Sequence, residues 1–294
     1  NKNGVWTLHD MWAFCGAEHY TDDLRWYEGY LKANRPDYEN GFDLNRWVWE
    51  KKSKHWKNAM QIITPSKWLA EITQKSALMK GWSVDVIPNT IDMNIWRPVE
   101  SSFAKEEVGL RETERKFIAF GALGGQQDPR KGFDLLRQAL KLLKQQECNF
   151  EILIFGQSAP KQSEDLGFPV HYSGHLSNDE DLCNLYSAAD VMVVPSRQEA
   201  FGQTASEAHA CGTPVVAFNS TGLKDIIDHK ETGFLAEPFD PKSLAEGIQW
   251  VVENNARKRK LSKNARQKAE LLWSYQTVSN QYKAIYEKVL KNDS

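Results

Sequence analysis

The stretch at residues 191–217, VMVVPSRQEAFGQTASEAHACGTPVVA, constrains this chain more than any other. It reads as strand, loop, helix, strand. Val191 to Val194 is a short apolar run, as in a buried strand, and Pro195 and Ser196 end it. Phe201 and Gly202 lead into TASEAHA, a good helix former, and Gly212 with Pro214 stops that helix. A second apolar run at 214–218 follows at once. Two carboxylates lie eight residues apart, Glu199 in the loop and Glu207 in the helix. Eight helical residues span about 12 Å, the scale of a nucleotide carrying a sugar. Between the carboxylates lies a helix N-terminus beside Gly202, where backbone N–H groups and the helix dipole favour a phosphate. The same residues also fit a surface loop and a core helix, with Glu207 capping or salt-bridged. The spacing alone does not choose.

The chain on either side supplies more of the same units. KFIAFGA, FEILIFG, VHYSG, VMVVPS, PVVAF and TGFLA read as strands, and helical patterns such as FDLLRQALKLLKQQ and DEDLCNLYSAA lie between them. Such alternation predicts a parallel sheet covered on both faces. GALGG after the first strand lacks the G-x-G-x-x-G spacing, and the strand ending IFGQS carries no acid for a ribose hydroxyl, so a dinucleotide site is not expected there. Arg130 and Lys131, adjacent and just ahead of a helix, suit a diphosphate whose charge grows as a bond to it breaks. An Arg-Lys pair at a helix start is also often simply solvated.

The first hundred residues are less regular. Residues 5–8 read as a strand, with His9 and Asp10 at its C-terminal end, where ligands bind in open α/β sheets. His9 fits equally as a partner of Asp10 or of a carbonyl. Cys15 and His19 have the spacing of a metal pair, but no further ligands follow at zinc spacing. Residues 43–60 predict a helix with Leu44, Val48, Trp56 and Met60 near one face, and Arg46, Lys51, Lys52, Lys54 and Lys57 make it basic. That face suits either water or an anionic lipid surface. QIITP reads as a strand, followed by a helix capped by Ser66. The charged stretch from Arg97 and Pro98 to Arg115 reads as a linker.

Composition enters as a set of exclusions. The net charge of −2 over 294 residues gives no bulk attraction to nucleic acid, so none is expected as a partner. No apolar run approaches the roughly 20 residues that span a membrane. Cys15, Cys148, Cys183 and Cys211 are widely spaced, which predicts reduced, mostly buried thiols and a cytoplasmic protein, at most touching the inner face of the membrane. Nine of eleven tryptophans precede residue 100, a density that fits either a groove lining or large core residues.

ExFGxxxxEAxACGTPVVA, RKGFDLL, IPNTID and WTLHDMWAFCGAEHY together resemble the motifs of the retaining GT-B glycosyltransferases of family GT4, the glycosyl transferases group 1. The resemblance covers nearly the whole chain. It implies an α/β GT-B fold of two doubly wound Rossmann-like domains, the N-terminal one incomplete because the chain opens directly on a strand. The expected divisions are 1–97, the later part of an acceptor-side domain; 98–274, the donor domain; and 275–294, a helix crossing back to the first domain. The implied reaction moves a hexose from a nucleotide diphosphate sugar to an acceptor hydroxyl with retention. No metal or cofactor is needed, and the departing phosphate takes the acceptor's proton. The acceptor would be a saccharide or lipid-linked saccharide, in polysaccharide or glycoconjugate synthesis.

Residue by residue, the resemblance places His9 near the sugar, Lys131 on the donor phosphates with Arg130 beside it, and Glu199 on the donor sugar. Glu207 meets the ribose. Backbone groups at Phe201, Gly202 and Gln203 face the diphosphate, with Thr204 also on the donor, and the turn Gly174, His175, Leu176 lies beside the base. The sequence departs from the family at Ala122, where Arg is usual, at Thr90, where Gly is usual, and at Gln203, where a small or apolar residue is usual. A non-catalytic nucleotide-sugar binder and a GT-B nucleotide-sugar epimerase are the alternatives.

Overall fold

A computed structural model describes residues 4–111, 113–121, 128–160 and 165–291. The departure at Ala122 therefore lies outside the described residues. The chain forms two compact units, one of Asn1–Asn89 with Val278–Ser294 and one of Thr90–Thr277.

The second unit carries a six-stranded parallel sheet. Its strands are β4 (Lys116–Gly121), β5 (Phe150–Phe155), β6 (Val170–Gly174), β7 (Val191–Val194), β8 (Val215–Phe218) and β9 (Gly233–Ala236), in the order β6-β5-β4-β7-β8-β9. Successive side chains on a strand face opposite sides, and the register keeps like with like. Ile118 pairs with Ile152 and Val191, while Ala119 pairs with Leu153 and Met192. The first row packs under α5 (Phe133–Gln145) and α9 (Pro241–Val252). The second packs under α4 (Ser101–Glu107), α6 (Asp179–Ala188), α7 (Gln203–Ala210) and the end of α10 (Asn255–Trp273). Burial on both faces is why the central strands β4, β7 and β8 read as apolar runs, while the edge strand β6 is only half-buried. A short helix α8 (Leu223–Ile226) joins β8 to β9. The chain leaves β4 in one direction and resumes at β7 in the other. The carboxyl ends of β4 and β7 thus form a switch point, where such sheets take ligands.

The stretch expected to be a linker is instead partly helical and part of the core. In α4, Ala104 is buried, and Leu110 just beyond it is buried as well. Two well-placed apolar residues dock a helix whose other positions are two serines, an exposed Phe103 and three charged residues, which a low average hydrophobicity conceals.

The first unit holds a three-stranded parallel sheet, β1 (Val5–Thr7), β2 (Gln61–Thr64) and β3 (Val84–Val86), in that order. Its helices are α1 (Arg25–Glu28), α2 (Leu44–His55), α3 (Lys67–Lys75) and α11 (Tyr275–Lys291) from Val278 onward. Ser66 caps α3 by accepting from Leu69 N at 3.2 Å. On α11, Val278 packs with Ile63 and Ile87, flanked by Tyr282 and Ile285. Tyr286 stays about half exposed.

Two expectations for α2 fail together. The helix ends at His55, so Met60 is not on its face, and Lys52 is buried rather than solvated. Lys52 Nζ donates to the carbonyls of Trp12, Cys15 (3.1 Å) and Gly16 (2.7 Å) and lies 3.8 Å from the centre of the Trp12 ring. Trp56 turns out of the helix to meet Trp6 edge-on at 5.2 Å and Trp12 at 6.0 Å. These early tryptophans therefore form a shell around a buried ammonium. Arg25, also buried, is held by Asp23 and by both oxygens of Glu39, at 3.2 and 2.6 Å. The cysteines are free, Cys148 partly exposed and the rest buried, and Cys183 and Cys211 have their sulfurs 3.6 Å apart. Among the described residues no helix is long and apolar enough to cross a membrane.

Candidate active site

A cavity of about 340 Å³ opens at the carboxyl ends of β4, β5 and β6, against the N-terminus of α7. Lys131, His175, Leu176, Gln203, Thr204 and Glu207 all line it. Phe155, Leu182 and Tyr186 supply its apolar and phenolic walls.

Lys131 ends a short 3-10 turn, Pro129–Lys131, which Asp128 caps by accepting from Arg130 N. Gly132 follows at φ +66°, and a Cβ there would lie 1.9 Å from the Pro195 carbonyl oxygen. Only glycine lets the turn sit this close to the end of β7. Arg197 braces the turn from the other side. Its N–H donates to Arg130 O at 2.7 Å, and its guanidinium holds Pro129 O and both oxygens of Asp134.

Lys131 Nζ then meets Glu199 Oε1 at 2.6 Å, and Ser196 Oγ donates to the same oxygen at 2.9 Å. The Glu199 backbone is fixed as well, its N–H bonded to Thr221 Oγ1 and its carbonyl accepting from Gly222 N. Arg130 is not part of the cavity lining. Its guanidinium lies along Asp128, at 3.1 and 2.7 Å, and is 45% exposed.

Gly202 caps α7 at φ +107°, and a Cβ there would come within 2.8 Å of Leu223. The helix therefore starts close over α8 and directs its first-turn N–H groups out of its end. Phe201 is buried, edge-on to Trp273 at 6.0 Å, so its side chain serves the core rather than the cavity. Gly174, at φ +69°, ends β6, and its carbonyl accepts from Gly156 N at 2.8 Å, which sets the turn into His175 and Leu176.

Glu207 is the site's unusual acid. Burial pushes its carboxyl up to about 7, opposed by hydrogen bonds from Gln203 and Tyr186 and reinforced by Asp179. Tyr186 donates its O–H to Glu207 Oε2 at 3.0 Å. The sequence reading named neither Tyr186 nor Arg197. Leu182 and Tyr186 have i, i+4 spacing on α6, which marks an inward face, but only the fold brings that face to Glu207.

His9 follows β1 on the first unit and is exposed. Asp10 is bonded to His19 Nδ1 at 2.6 Å and to Trp12 N at 2.8 Å. The partner of Asp10 is thus His19. No group of three or more potential metal ligands gathers at Cys15 and His19 among the described residues.

The architecture is that of the GT-B glycosyltransferases. Sucrose-phosphate synthase from Thermosynechococcus elongatus superposes with a TM-score of 0.73 at 26% identity, over 98% of this chain and 68% of that one. Anabaena HepE, solved with UDP and glucose, gives 0.66 at 22% identity, over 96% and 71%. The chain belongs to the glycosyl transferases group 1 family, whose pattern matches residues 101–268, more than half of it. A D-inositol 3-phosphate glycosyltransferase of Xylanimonas cellulosilytica is 30% identical over 226 residues, 70% of this chain and 53% of that protein. A mannosylfructose-phosphate synthase of Agrobacterium fabrum is 25% identical over 284 residues, 89% of this chain and 61% of that protein. The chain thus spans roughly half to three fifths of the length of these two relatives.

Proposed function

We propose that this chain serves a retaining hexosyltransferase that uses a nucleotide diphosphate sugar. The observation that carries the reading is the meeting, in one cavity, of a cation, a helix N-terminus and a buried carboxylate. Lys131 and the N–H groups at Gln203 and Thr204 bind the diphosphate and neutralise the charge that develops as the glycosidic bond to it breaks. Glu199, clamped by Ser196, accepts from donor-sugar hydroxyls. Glu207 accepts from the ribose, and the His175–Leu176 turn lies beside the base. Arg130 steadies the approach of the phosphates from outside the cavity.

No metal is required, because the fixed positive groups already oppose the leaving charge. The acceptor hydroxyl loses its proton to the departing phosphate, with attack on the face the phosphate leaves. The acceptor is a saccharide or a lipid-linked saccharide. The protein works in the cytoplasm in polysaccharide or glycoconjugate synthesis, with peripheral contact to the inner face of the membrane.

A thermal-shift screen of UDP-, GDP- and ADP-sugars tests the donor. UDP comes first, since the similar Anabaena protein holds it with glucose. A ligand at 100 times its dissociation constant stabilises by about 2.7 kcal/mol. Product NMR then separates the outcomes: an α-glycoside from an α-linked donor supports retaining transfer, and a β-glycoside overturns retention. A free epimer would identify an epimerase. Binding without any product would identify a non-catalytic binder.

A further inference from the structure

Tyr186 lines the cavity, yet none of the donor roles above uses it. Its ring is fully buried on α6, edge-on to Phe155 at 5.4 Å and against Trp96 at 5.9 Å. Its carbonyl accepts from Thr213 Oγ1 at 2.6 Å, which ties this turn of α6 to the residues after α7. Backbone and ring are thereby fixed, and the phenol has a set direction. It points at Glu207 Oε2, 3.0 Å away.

We propose that Tyr186 is a positioning residue for the donor: its hydroxyl fixes the plane of the Glu207 carboxylate and favours the ionised form that accepts from the ribose. This rests on the donor reading above. Gln203, from α7 itself, also hydrogen-bonds the carboxylate and holds its pKa down more strongly than Tyr186 does. Asp179 on α6 opposes its ionisation, Cys211 lies just past α7 and interacts with it, and His175, after β6, lines the same cavity. Lys131 lines the same cavity but is paired with Glu199. With burial already holding Glu207 near neutrality, the hydrogen bonds from Gln203 and Tyr186 to the charged form together set how much carboxylate is present at physiological pH, and the Tyr186 bond is the one that comes from another helix.

Tyr186→Phe keeps the ring and removes only that bond. A purely structural tyrosine would change affinity without moving the titration of Glu207. Two readouts on the whole chain separate the cases. The first is the Glu207 carboxyl titration, followed by carbon-13 NMR without ligand and assigned with Glu207→Gln. In Tyr186→Phe its midpoint rises by about one pH unit. The second is calorimetry with UDP-, GDP- and ADP-glucose, whose phosphodiesters carry no proton that titrates near neutrality. With the sugar nucleotide that binds, affinity at about pH 7.5 falls by roughly threefold or more, the share of ionised Glu207 lost when its midpoint rises by that amount. The same substitution in a Glu207→Gln background changes affinity little, because Tyr186 acts through Glu207.

An unmoved midpoint in folded Tyr186→Phe, or an equal loss of affinity in both backgrounds, overturns the proposal while leaving the donor reading intact. If the parent binds none of the three sugar nucleotides, the donor reading falls, and this proposal with it.

Discussion

Replacing Glu207 with Gln should make the protein more stable and its site weaker. Burial raises the Glu207 carboxyl from 4.5 to about 7. The folded state therefore holds a proton that the unfolded chain releases. For a raised acid the stabilisation is complete below the unfolded value and is lost as pH rises through the folded one. Between about 4.5 and 7 the parent loses stability with rising pH. At about 1.4 kcal/mol per unit the cost reaches about 3 kcal/mol at pH 8, an upper bound because the cavity admits water. Gln has the shape of the protonated acid, can accept from Tyr186, and escapes the cost. In a unit the size of Thr90–Thr277, about 3 kcal/mol corresponds to a rise in Tm of roughly 6–12 °C. The assay is thermal unfolding of parent and variant near pH 8 and again near pH 4.5, without ligand. The gain should be several degrees at the higher pH and small at the lower. A variant no more stable than the parent at pH 8, or equally stabilised at both, would refute the reasoning.

Other perturbations have their own expected results. Lys131→Ala should lower turnover about a hundredfold or more, with little change in Tm, because its pair with Glu199 is partly exposed and worth at most about 1 kcal/mol; unchanged turnover in folded protein would remove Lys131 from the site. Gly132→Ala puts a Cβ 1.9 Å from Pro195 O at φ +66° and should cost more than about 1 kcal/mol while weakening sugar-nucleotide binding, measured by denaturant melts and calorimetry. Wild-type values in both would show that the turn can shift freely. Lys52→Met leaves three carbonyls without their buried donor and should destabilise the first unit by at least about 1–3 kcal/mol, read from tryptophan fluorescence. Coincident melts would contradict a structural role.

What could be read from the sequence follows where side chains are buried. The strands β4, β5, β7 and β8 of the second unit bury apolar residues on both faces, so runs such as those at Ile118 and Val193 are visible without a partner. Lys131, Glu199 and Glu207 stood out by position and spacing, but only the motif resemblance chose donor binding over a solvated or structural role. The structure places Lys131 and Glu207 on one cavity and pairs Glu199 with Lys131. Arg130 and Phe201 share those motifs but direct their side chains to Asp128 and to Trp273. Adjacency in sequence does not fix direction in space. The end of α2 and the inward turn of Lys52 were illegible because both depend on tryptophans far away in the chain. The helix α4 was hidden by its charged residues, since docking depends on Ala104 and Leu110 rather than on the average. Tyr186 shows only an inward helical face and Arg197 no local signature, because their partners Glu207 and Asp134 are 21 and 63 residues distant.

A crystal structure of the chain with a bound nucleotide diphosphate sugar decides whether this cavity holds the donor. Phosphate oxygens are expected within about 3 Å of Lys131 Nζ and of the first N–H groups of α7. A ribose hydroxyl on Glu207 and the base beside His175 and Leu176 are expected with them. A sugar nucleotide bound elsewhere, with Lys131 and Glu207 touching no part of it, would contradict the donor reading.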